Sequence, residues 1–305
     1  MAFRHRAPTT TSVVPIGDVA LERGLRASTA APRRRRVDGW VVLSYVLLTV
    51  GALAMVFPFA WMLLSSFKEY REILSFQIWP ERFTLVNYIE VLTRTAFPRW
   101  FLNSVIVAVG TTTSVLFFCA LVGYVLAKLR FPGKNLIFVA ILATLMVPTE
   151  MLVIPWFVMS ADLGWVNTYW GLMFPGLIPG FGVFLMRQFF QTLPSDLFDA
   201  GRIDGVSEFG LFWRIGLPLV GPGLGALGIF AFIGNWNAFL WPLIVGQSAS
   251  MRTIPVGISN FSAEAATQWN LIMSASALAI VPVLIVFFIF QRQIIEGVVL
   301  TGVKG

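Results

Sequence analysis

Long apolar runs alternate with shorter polar stretches along this chain. A membrane-spanning helix needs about 20 mainly apolar residues, and six stretches reach that length. They predict six transmembrane helices, near residues 41–64, 101–126, 136–159, 169–190, 219–244 and 270–290. The expected fold is therefore all-α and integral to a membrane, since helices satisfy their own backbone hydrogen bonds in lipid.

The first 39 residues do not follow this pattern. They are rich in Thr, Ala, Pro and Arg and end in four arginines, Arg33 to Arg36. We expect a disordered, basic, cytoplasmic tail, followed by a transmembrane domain from residue 40 to 305. The run 41–64 is too long for the core of a signal peptide and has no small-residue cleavage site after it, so we expect a retained span. The arginines could contact nucleic acid, but a charge that orients the first span explains them more simply.

Composition and charge support this orientation. The chain is 57% hydrophobic and 12% charged, against roughly 45–50% apolar and about 25% charged residues in soluble domains. With the tail inside, 16 of the 22 Lys and Arg residues fall in cytoplasmic segments. The other six are Lys68, Arg71, Arg82, Arg94, Arg99 and Arg252. The positive-inside rule therefore predicts that both termini lie in the cytoplasm.

The sequence offers little for catalysis. It contains one Cys and one His, so a disulfide within the chain is excluded and no Cys/His dyad or metal cluster is apparent. Cys119 lies inside an apolar run and is expected to be a small core residue. His5 lies in the polar tail. No GxxxxGK[ST] loop is present to hold nucleotide phosphates, so we expect a non-catalytic chain.

The loop between spans four and five, about residues 191–218, is unusually polar and aromatic for a simple connection. Ser195 is a plausible N-cap with Asp196 at the positive end of the helix dipole, and Asp204-Gly205 is a stop signal. Ser207 can cap a second helix, which Leu217-Pro218 is expected to end. Phe209, Phe212 and Trp213 have the spacing of one helix face.

These features predict a helix, a tight turn and a second helix outside the bilayer. Ala200 and Gly201 would leave a shallow surface beside Asp199 and Arg202. The pair could lie at the interface and pack on its own membrane domain, or it could seat in the groove of a cytosolic partner. The chemistry of the residues leaves both interpretations open.

The loop resembles the EAA loop of the inner-membrane subunits of ATP-binding-cassette (ABC) importers. That pattern is Glu-Ala-Ala, a Gly four residues on, and Ile-x-Leu-Pro downstream. The corresponding residues here are Asp199-Ala200-Gly201, Gly205 and Ile215-Gly216-Leu217-Pro218. The stretches "NSVIVAVGTTTS", "AKLRFPGK", "NWNAFLWPL" and "EGVVLTGVKG" extend the resemblance to MalG-like permeases of carbohydrate uptake. It covers the chain from about Trp40 to the C-terminus.

The resemblance implies a transmembrane permease subunit for a sugar or related polyol in a bacterial inner membrane. Its partners would be a second, MalF-like permease, two copies of an ABC ATPase and an extracytoplasmic solute-binding protein. ATP and Mg would bind to the ATPase, and this chain would hold no cofactor. The residues that would couple ATPase closure to alternating access are Asp199, Ala200, Gly201, Asp204, Gly205 and Pro218. The C-terminal residues Gly302, Lys304 and Gly305 would make a secondary contact with the ATPase subunits.

Two residues depart from the pattern. Asp199 replaces Glu and Gly201 replaces Ala, and a Gly inside a helix costs about 1 kcal/mol relative to Ala. A looser coupling helix is therefore expected.

Two groups of polar residues lie within predicted spans. Asn235, Trp236 and Asn237 would either bond neighbouring helices or line a path suited to a neutral polyol. Glu150, between Pro148 and Pro155, either steadies a Pro-broken helix or acts on the translocation path. As a proton carrier, Glu150 would make the chain a proton-coupled secondary transporter, which is the alternative function.

Overall fold

The computed structural model describes residues 39–75, 77–262 and 267–302, and the predicted tail, residues 1–38, lies outside this range. The part described is helical apart from loops and one isolated β-bridge between Ser262 and Thr267. Its α-helices, in chain order, are α1 (Gly39–Ser66), α2 (Tyr70–Ile73), α3 (Val86–Arg94), α4 (Phe97–Lys128), α5 (Lys134–Thr144), α6 (Val153–Asp162), α7 (Tyr169–Met173), α8 (Gly180–Thr192), α9 (Ser195–Ile203), α10 (Glu208–Leu211), α11 (Leu217–Leu219), α12 (Gly221–Trp236), α13 (Leu240–Val245), α14 (Ile254–Ser259) and α15 (Trp269–Gly302). They confirm the all-α prediction.

Three helices are long and apolar enough to cross a membrane unaided: α1, α4 and α15. Three further candidates are pairs of helical segments bent at short breaks. The bends measure 91° between α5 and the segment Thr149–Asp162, 50° between Tyr169–Gly176 and α8, and 80° between Glu208–Leu219 and α12. Three predicted spans, 41–64, 101–126 and 270–290, fall on continuous helices, and two, 136–159 and 169–190, fall on bent pairs. The sixth, 219–244, covers α12 and most of α13, whereas the third bent pair begins in the polar loop before it.

Side chains of α4 contact two backbone carbonyls at the break before α8. Ser114 donates its hydroxyl to the carbonyl of Leu177 at 3.0 Å, and the Cys119 thiol lies 3.6 Å from the carbonyl of Pro179. Cys119 is fully buried and touches α8 closely, since a Cβ on Gly182 would lie 2.7 Å from its sulfur. The prediction of a small core residue at Cys119 is confirmed, and the position also serves a broken helix.

A division into two units falls after Val56, within α1, and every contact described below lies in the second unit. One apolar cluster of that unit joins α3, α4, α12, α14 and α15 and includes Trp100 and Trp236. Gly257 of α14 lies against the Trp100 indole so closely that a Cβ would sit 2.1 Å from the ring. A second cluster joins α4, α8 and the polar loop that follows α8.

A network of hydrogen-bonded side chains lies near the C-terminal end of α1. The amide of Asn87 in α3 donates to the carbonyls of Ser66 and Lys68, at 3.1 and 2.8 Å. Asn270 of α15 donates to the Asn87 side-chain oxygen at 3.0 Å. Lys68 is fully buried, bonds the Gln77 carbonyl and lies 4.7 Å over a Trp61 ring.

Candidate functional site

The polar loop begins with α9. Leu193 is extended (φ −76°, ψ 137°), as expected of a residue before proline. Pro194 is therefore the N-cap residue and Ser195 is the first residue of the helix, so the prediction that Ser195 caps α9 is wrong by one position. Asp196 lies in the first turn, as predicted, where its carboxylate is favoured by the helix dipole.

The end of α9 matches the sequence prediction. Gly205 adopts φ +77°, a left-handed conformation that costs glycine little. Its N–H donates to the carbonyl of Arg202 at 3.0 Å, and the N–H of Val206 donates to that of Gly201 at 3.0 Å. These two bonds make a Schellman motif with Asp204 as the C-cap residue. The chain thereby reverses tightly into the second arm.

The second arm begins as predicted and continues further than predicted. The Ser207 hydroxyl accepts from the N–H of Gly210 at 3.2 Å, and Glu208 is the first helical residue. The expectation that Leu217-Pro218 ends this helix is wrong, because Leu217 is helical (φ −58°, ψ −46°) and the arm runs to Leu219.

The turn before Pro218 explains this continuation. Residues Phe212–Gly216 form a π-helical turn, whose i→i+5 bonding widens the helix. A widened turn relieves the clash between the proline ring and the preceding carbonyls, and proline has no N–H to leave unbonded. The bend of 80° into α12 therefore falls after Leu219 rather than at Pro218.

Gly201 lies between the two arms. It is buried, and a Cβ built on it would lie 2.5 Å from Leu211 Cδ2 and 3.4 Å from Ile215 Cδ1. The prediction of a shallow outer surface at Ala200 and Gly201 is therefore wrong for Gly201, whereas Ala200 and Asp199 are exposed. The glycine allows close packing of α9 on the second arm, which offsets its low helix propensity.

Arg202 bonds both arms of the helix pair, defined here as α9 and the segment Glu208–Leu219. Its guanidinium donates to Asp199 at 2.6 Å and to Glu208 at 2.7 Å. The Glu208 carboxylate also accepts from the hydroxyl of Tyr124 in α4 at 2.9 Å. The hydrogen bond from Arg202 lowers the pKa of Glu208, and the same bond raises the pKa of Arg202.

Aromatic side chains attach the helix pair to the membrane domain. Phe198 from α9 and Phe212 from the second arm are both buried. Their rings lie 5.8 and 5.5 Å from that of Tyr124, which also contacts Phe190 of α8 at 5.5 Å. The pair therefore has a buried, aromatic inner face that packs against α4 and α8. Sequence reasoning missed Tyr124, for which the one signal was a hydroxyl near the polar end of an apolar span.

The outer face of the helix pair is apolar and exposed. Ile203, the last residue of α9, is 87% exposed, and Leu197, Phe209 and Trp213 are also largely exposed. The rings of Phe209 and Trp213 stack with centroids 6.3 Å apart. Phe212 is buried on the inner face instead. The prediction that Phe209, Phe212 and Trp213 share one helix face is therefore wrong for Phe212. Exposed large apolar side chains on a polar loop are typical of a surface that contacts a protein or a membrane.

The predicted path residues Asn235, Trp236 and Asn237 lie at the end of α12. Trp236 is buried and donates its indole N–H to the carbonyl of Ala279 in α15 at 3.1 Å, which is an interhelical bond. Asn237 is exposed and caps the helix. The side-chain oxygen of Asn235 faces the break before α8, since a Cβ on Gly176 would lie 3.1 Å from it.

Glu150 lies in the 3₁₀ turn Thr149–Leu152, at the 91° break, and is exposed. Helix α5 has 11 residues and so covers roughly 16 Å of the roughly 30 Å hydrocarbon core. The carboxylate and the Asn235–Asn237 group lie on different elements. Of the predicted tail contacts, Gly302 is the last residue of α15, and Lys304 and Gly305 lie outside the described residues.

Comparison with known proteins finds a matching family and several similar permeases. The family described as "Binding-protein-dependent transport system inner membrane component" matches residues 120–299, which include the whole helix pair. The arabinooligosaccharides transport system permease protein AraQ of Halalkalibacterium halodurans is 38% identical over 87% of this chain and 98% of its own length. The diacetylchitobiose uptake system permease protein NgcG of Streptomyces coelicolor is 33% identical, covering 90% of each chain.

Another relative and a solved structure extend the comparison. The sn-glycerol-3-phosphate transport system permease protein UgpE of Pectobacterium atrosepticum is 34% identical over 87% of this chain and 97% of its own. A crystal structure of a bacterial ABC transporter involved in the import of alginate matches with a TM-score of 0.77 at 21% identity, covering 85% of this chain and 97% of that one. This chain belongs to the family of inner membrane components of binding-protein-dependent transport systems, as a MalG-like ABC importer permease.

Proposed function

We propose that this protein is one of two permease subunits in an ATP-driven importer of a sugar or related polyol. The relatives named for arabinooligosaccharides and diacetylchitobiose support that substrate class. A second structural neighbour, with a TM-score of 0.59, is an alginate transporter in complex with a periplasmic protein that holds an alginate pentasaccharide. An extracytoplasmic solute-binding protein is the corresponding partner here, and a MalF-like permease completes the membrane path.

The helix pair couples this permease to an ABC ATPase. The observation that carries this proposal is its two-sided construction: Ile203 and Trp213 are exposed on one side, and Phe198 and Phe212 are buried against α4 and α8 on the other. A partner that binds the exposed side and moves would move the buried side with it. Two copies of the ATPase, which hold ATP and Mg, close and so drive the spans between inward and outward access.

The translocation path lies at the interrupted helices. The breaks at residues 145–148 and 177–179 divide two of the candidate spans, and irregular backbone at membrane depth is tolerated where it lines a cavity. Glu150 and Asn235 lie at or beside these breaks. A carboxylate and an amide offer hydrogen bonds to the hydroxyls of a polyol, and we assign both to the path on that ground.

Purification through a tag on this chain, followed by reconstitution in liposomes, tests the proposal. We expect an ATPase and a second permease to co-purify, and uptake to require ATP and a solute-binding protein. Uptake by this chain alone, driven by a proton gradient and abolished by Glu150→Gln, would instead identify a secondary transporter.

A matched pair of variants tests the role of the helix pair. Ile203→Asp places a charge on the exposed tip of α9, where the side chain is 87% exposed. Ile78→Asp places one on another exposed isoleucine, 50% exposed, in the predicted external loop. We expect the first variant to lose ATPase binding or coupled uptake and the second to retain both. Equal behaviour of the two would exclude the helix pair as the coupling element.

A further inference from the structure

A polar cavity of about 700 Å³ lies between the helix pair and the turn that joins α4 to α5. Its volume lies within the roughly 300–1,000 Å³ of small-molecule pockets. Four cationic side chains line it: Lys128, Arg130, Lys134 and Arg202. No function considered above makes use of the first three.

The carboxylates that line the cavity form their ion pairs with Arg202 and not with these three cations. Asp199 and Glu208 are both bound by Arg202, at 2.6 and 2.7 Å. Within the described ranges, no carboxylate lies in ion-pair distance of Lys128, Arg130 or Lys134. The cavity therefore carries an excess of positive charge.

The two lysines are held in place by backbone carbonyls. Lys128 donates to the carbonyl of Leu193 at 2.6 Å, and Lys134 donates to that of Leu129 at 2.9 Å. Each ammonium has two further N–H donors, and Arg130 is exposed. The remaining N–H donors of the two lysines and the guanidinium of Arg130 are therefore available to an anion in the cavity.

The N-terminus of α5 adds to the positive electrostatic potential of the cavity. Gly133 precedes it with φ +78° and supplies no side-chain acceptor for the first N–H groups of this 11-residue helix. Those N–H groups and the positive end of the dipole favour an anion. A Cβ built on Gly133 would meet no atom within 4 Å, so a ligand can approach the backbone there.

The surroundings of the cavity indicate the source of the anion. Beyond Lys134, helix α5 exposes the apolar side chains Leu136, Ile137 and Val139. A soluble anion would gain nothing from this face, whereas the acyl chains of a lipid would lie along it. Basic pockets at the cytoplasmic edge of membrane helices are suited to anionic headgroups.

We propose that this cavity binds the phosphate of an anionic lipid, with Lys128, Arg130 and Lys134 as its cationic ligands and the acyl chains along α5. The headgroup then lies beside the Asp199–Arg202–Glu208 network and contacts the base of the helix pair. This proposal does not depend on the transported substrate or on coupling to an ATPase.

The test uses the full-length chain with its co-purifying partners in nanodiscs of mixed phosphatidylglycerol and phosphatidylcholine. Native mass spectrometry measures the phosphatidylglycerol retained by the wild type, by Arg130→Gln/Lys134→Gln, and by the control Arg82→Gln/Arg94→Gln on the predicted external side. We expect retention to fall about fivefold for each cavity cation removed, from about 1 kcal/mol per cation, and the control to match wild type.

Two further results are decisive. Excess inorganic phosphate should leave the retained lipid in place, because phosphate alone lacks the apolar contacts of α5. Displacement by phosphate, equal loss in both double variants, or unchanged retention in the cavity variant would overturn the proposal. Loss of a partner protein from the cavity variant with lipid retention unchanged would also overturn it and would assign the cavity to a protein contact.

Discussion

Replacement of Gly205 measures how firmly the two arms of the helix pair are joined. Gly205 has φ +77°, and a Cβ at this position would meet no atom within 4 Å. Gly205→Ala therefore introduces no clash, and its whole cost is the left-handed conformation, about 1–2 kcal/mol. Asn tolerates this conformation better than Ala, so Gly205→Asn should recover part of that cost.

A second glycine supplies the control. Gly221 also has open space around its Cβ position but lies at the start of α12 without a positive φ. Gly221→Ala should leave the free energy of local opening unchanged or stabilise the helix. The comparison thus separates left-handed strain from the loss of a glycine as such.

Hydrogen exchange of peptides that contain Val206 is the assay, because its N–H is held by the Schellman bond to Gly201. A cost of 1–2 kcal/mol increases the population of the open turn about 5–30-fold, and exchange should accelerate by that factor in Gly205→Ala. Exchange in Gly205→Ala equal to wild type would show that the left-handed conformation does not hold this turn, and equal acceleration in Gly221→Ala would show that the effect is not specific to it.

Three further predictions concern packing and charge. Phe198→Ala should destabilise the helix pair by about 3–5 kcal/mol, measured by thermal unfolding in detergent, because a fully buried ring is removed; a loss below about 1 kcal/mol would contradict the described packing. The hydrogen bond from Arg202 lowers the pKa of Glu208 in the folded protein. The stabilisation of the helix pair by this bond is therefore present above the unfolded pKa of about 4.3 and is lost as the pH falls through the lower folded value. Hydrogen exchange in the loop, measured as the pH is lowered, should show this loss in wild type and not in Glu208→Gln. Gly257→Ala should lower the melting temperature, since its Cβ would overlap the buried Trp100 ring, and an unchanged melting temperature would show that the ring moves freely.

Features that depend on local chemistry were predictable from the sequence. The stop at Gly205 and the cap at Ser207 require only the conformational freedom of glycine and a hydroxyl near an N–H. The apolar runs likewise predicted where α1, α4 and α15 lie. Each of these follows from residues within one or two turns of each other.

Features that depend on tertiary contacts were not predictable. Gly201 reads as a helix-weakening residue until Leu211 is seen against it. Pro218 reads as a helix stop because the π turn before it has no sequence signature. The bond from Tyr124 to Glu208 joins residues 84 positions apart, and no periodicity along the chain relates them.

A site-specific crosslink would show whether the exposed tip of the helix pair contacts an ATPase. Cys119 is fully buried, so a cysteine introduced at Ile203 would be the one accessible thiol of the described part of the chain. In the assembled transporter, we expect Ile203→Cys to crosslink to the ATPase subunit and Ile78→Cys not to do so. Free labelling of Ile203→Cys by a water-soluble maleimide in the intact complex, with no crosslink to the ATPase, would show that this tip does not contact the ATPase.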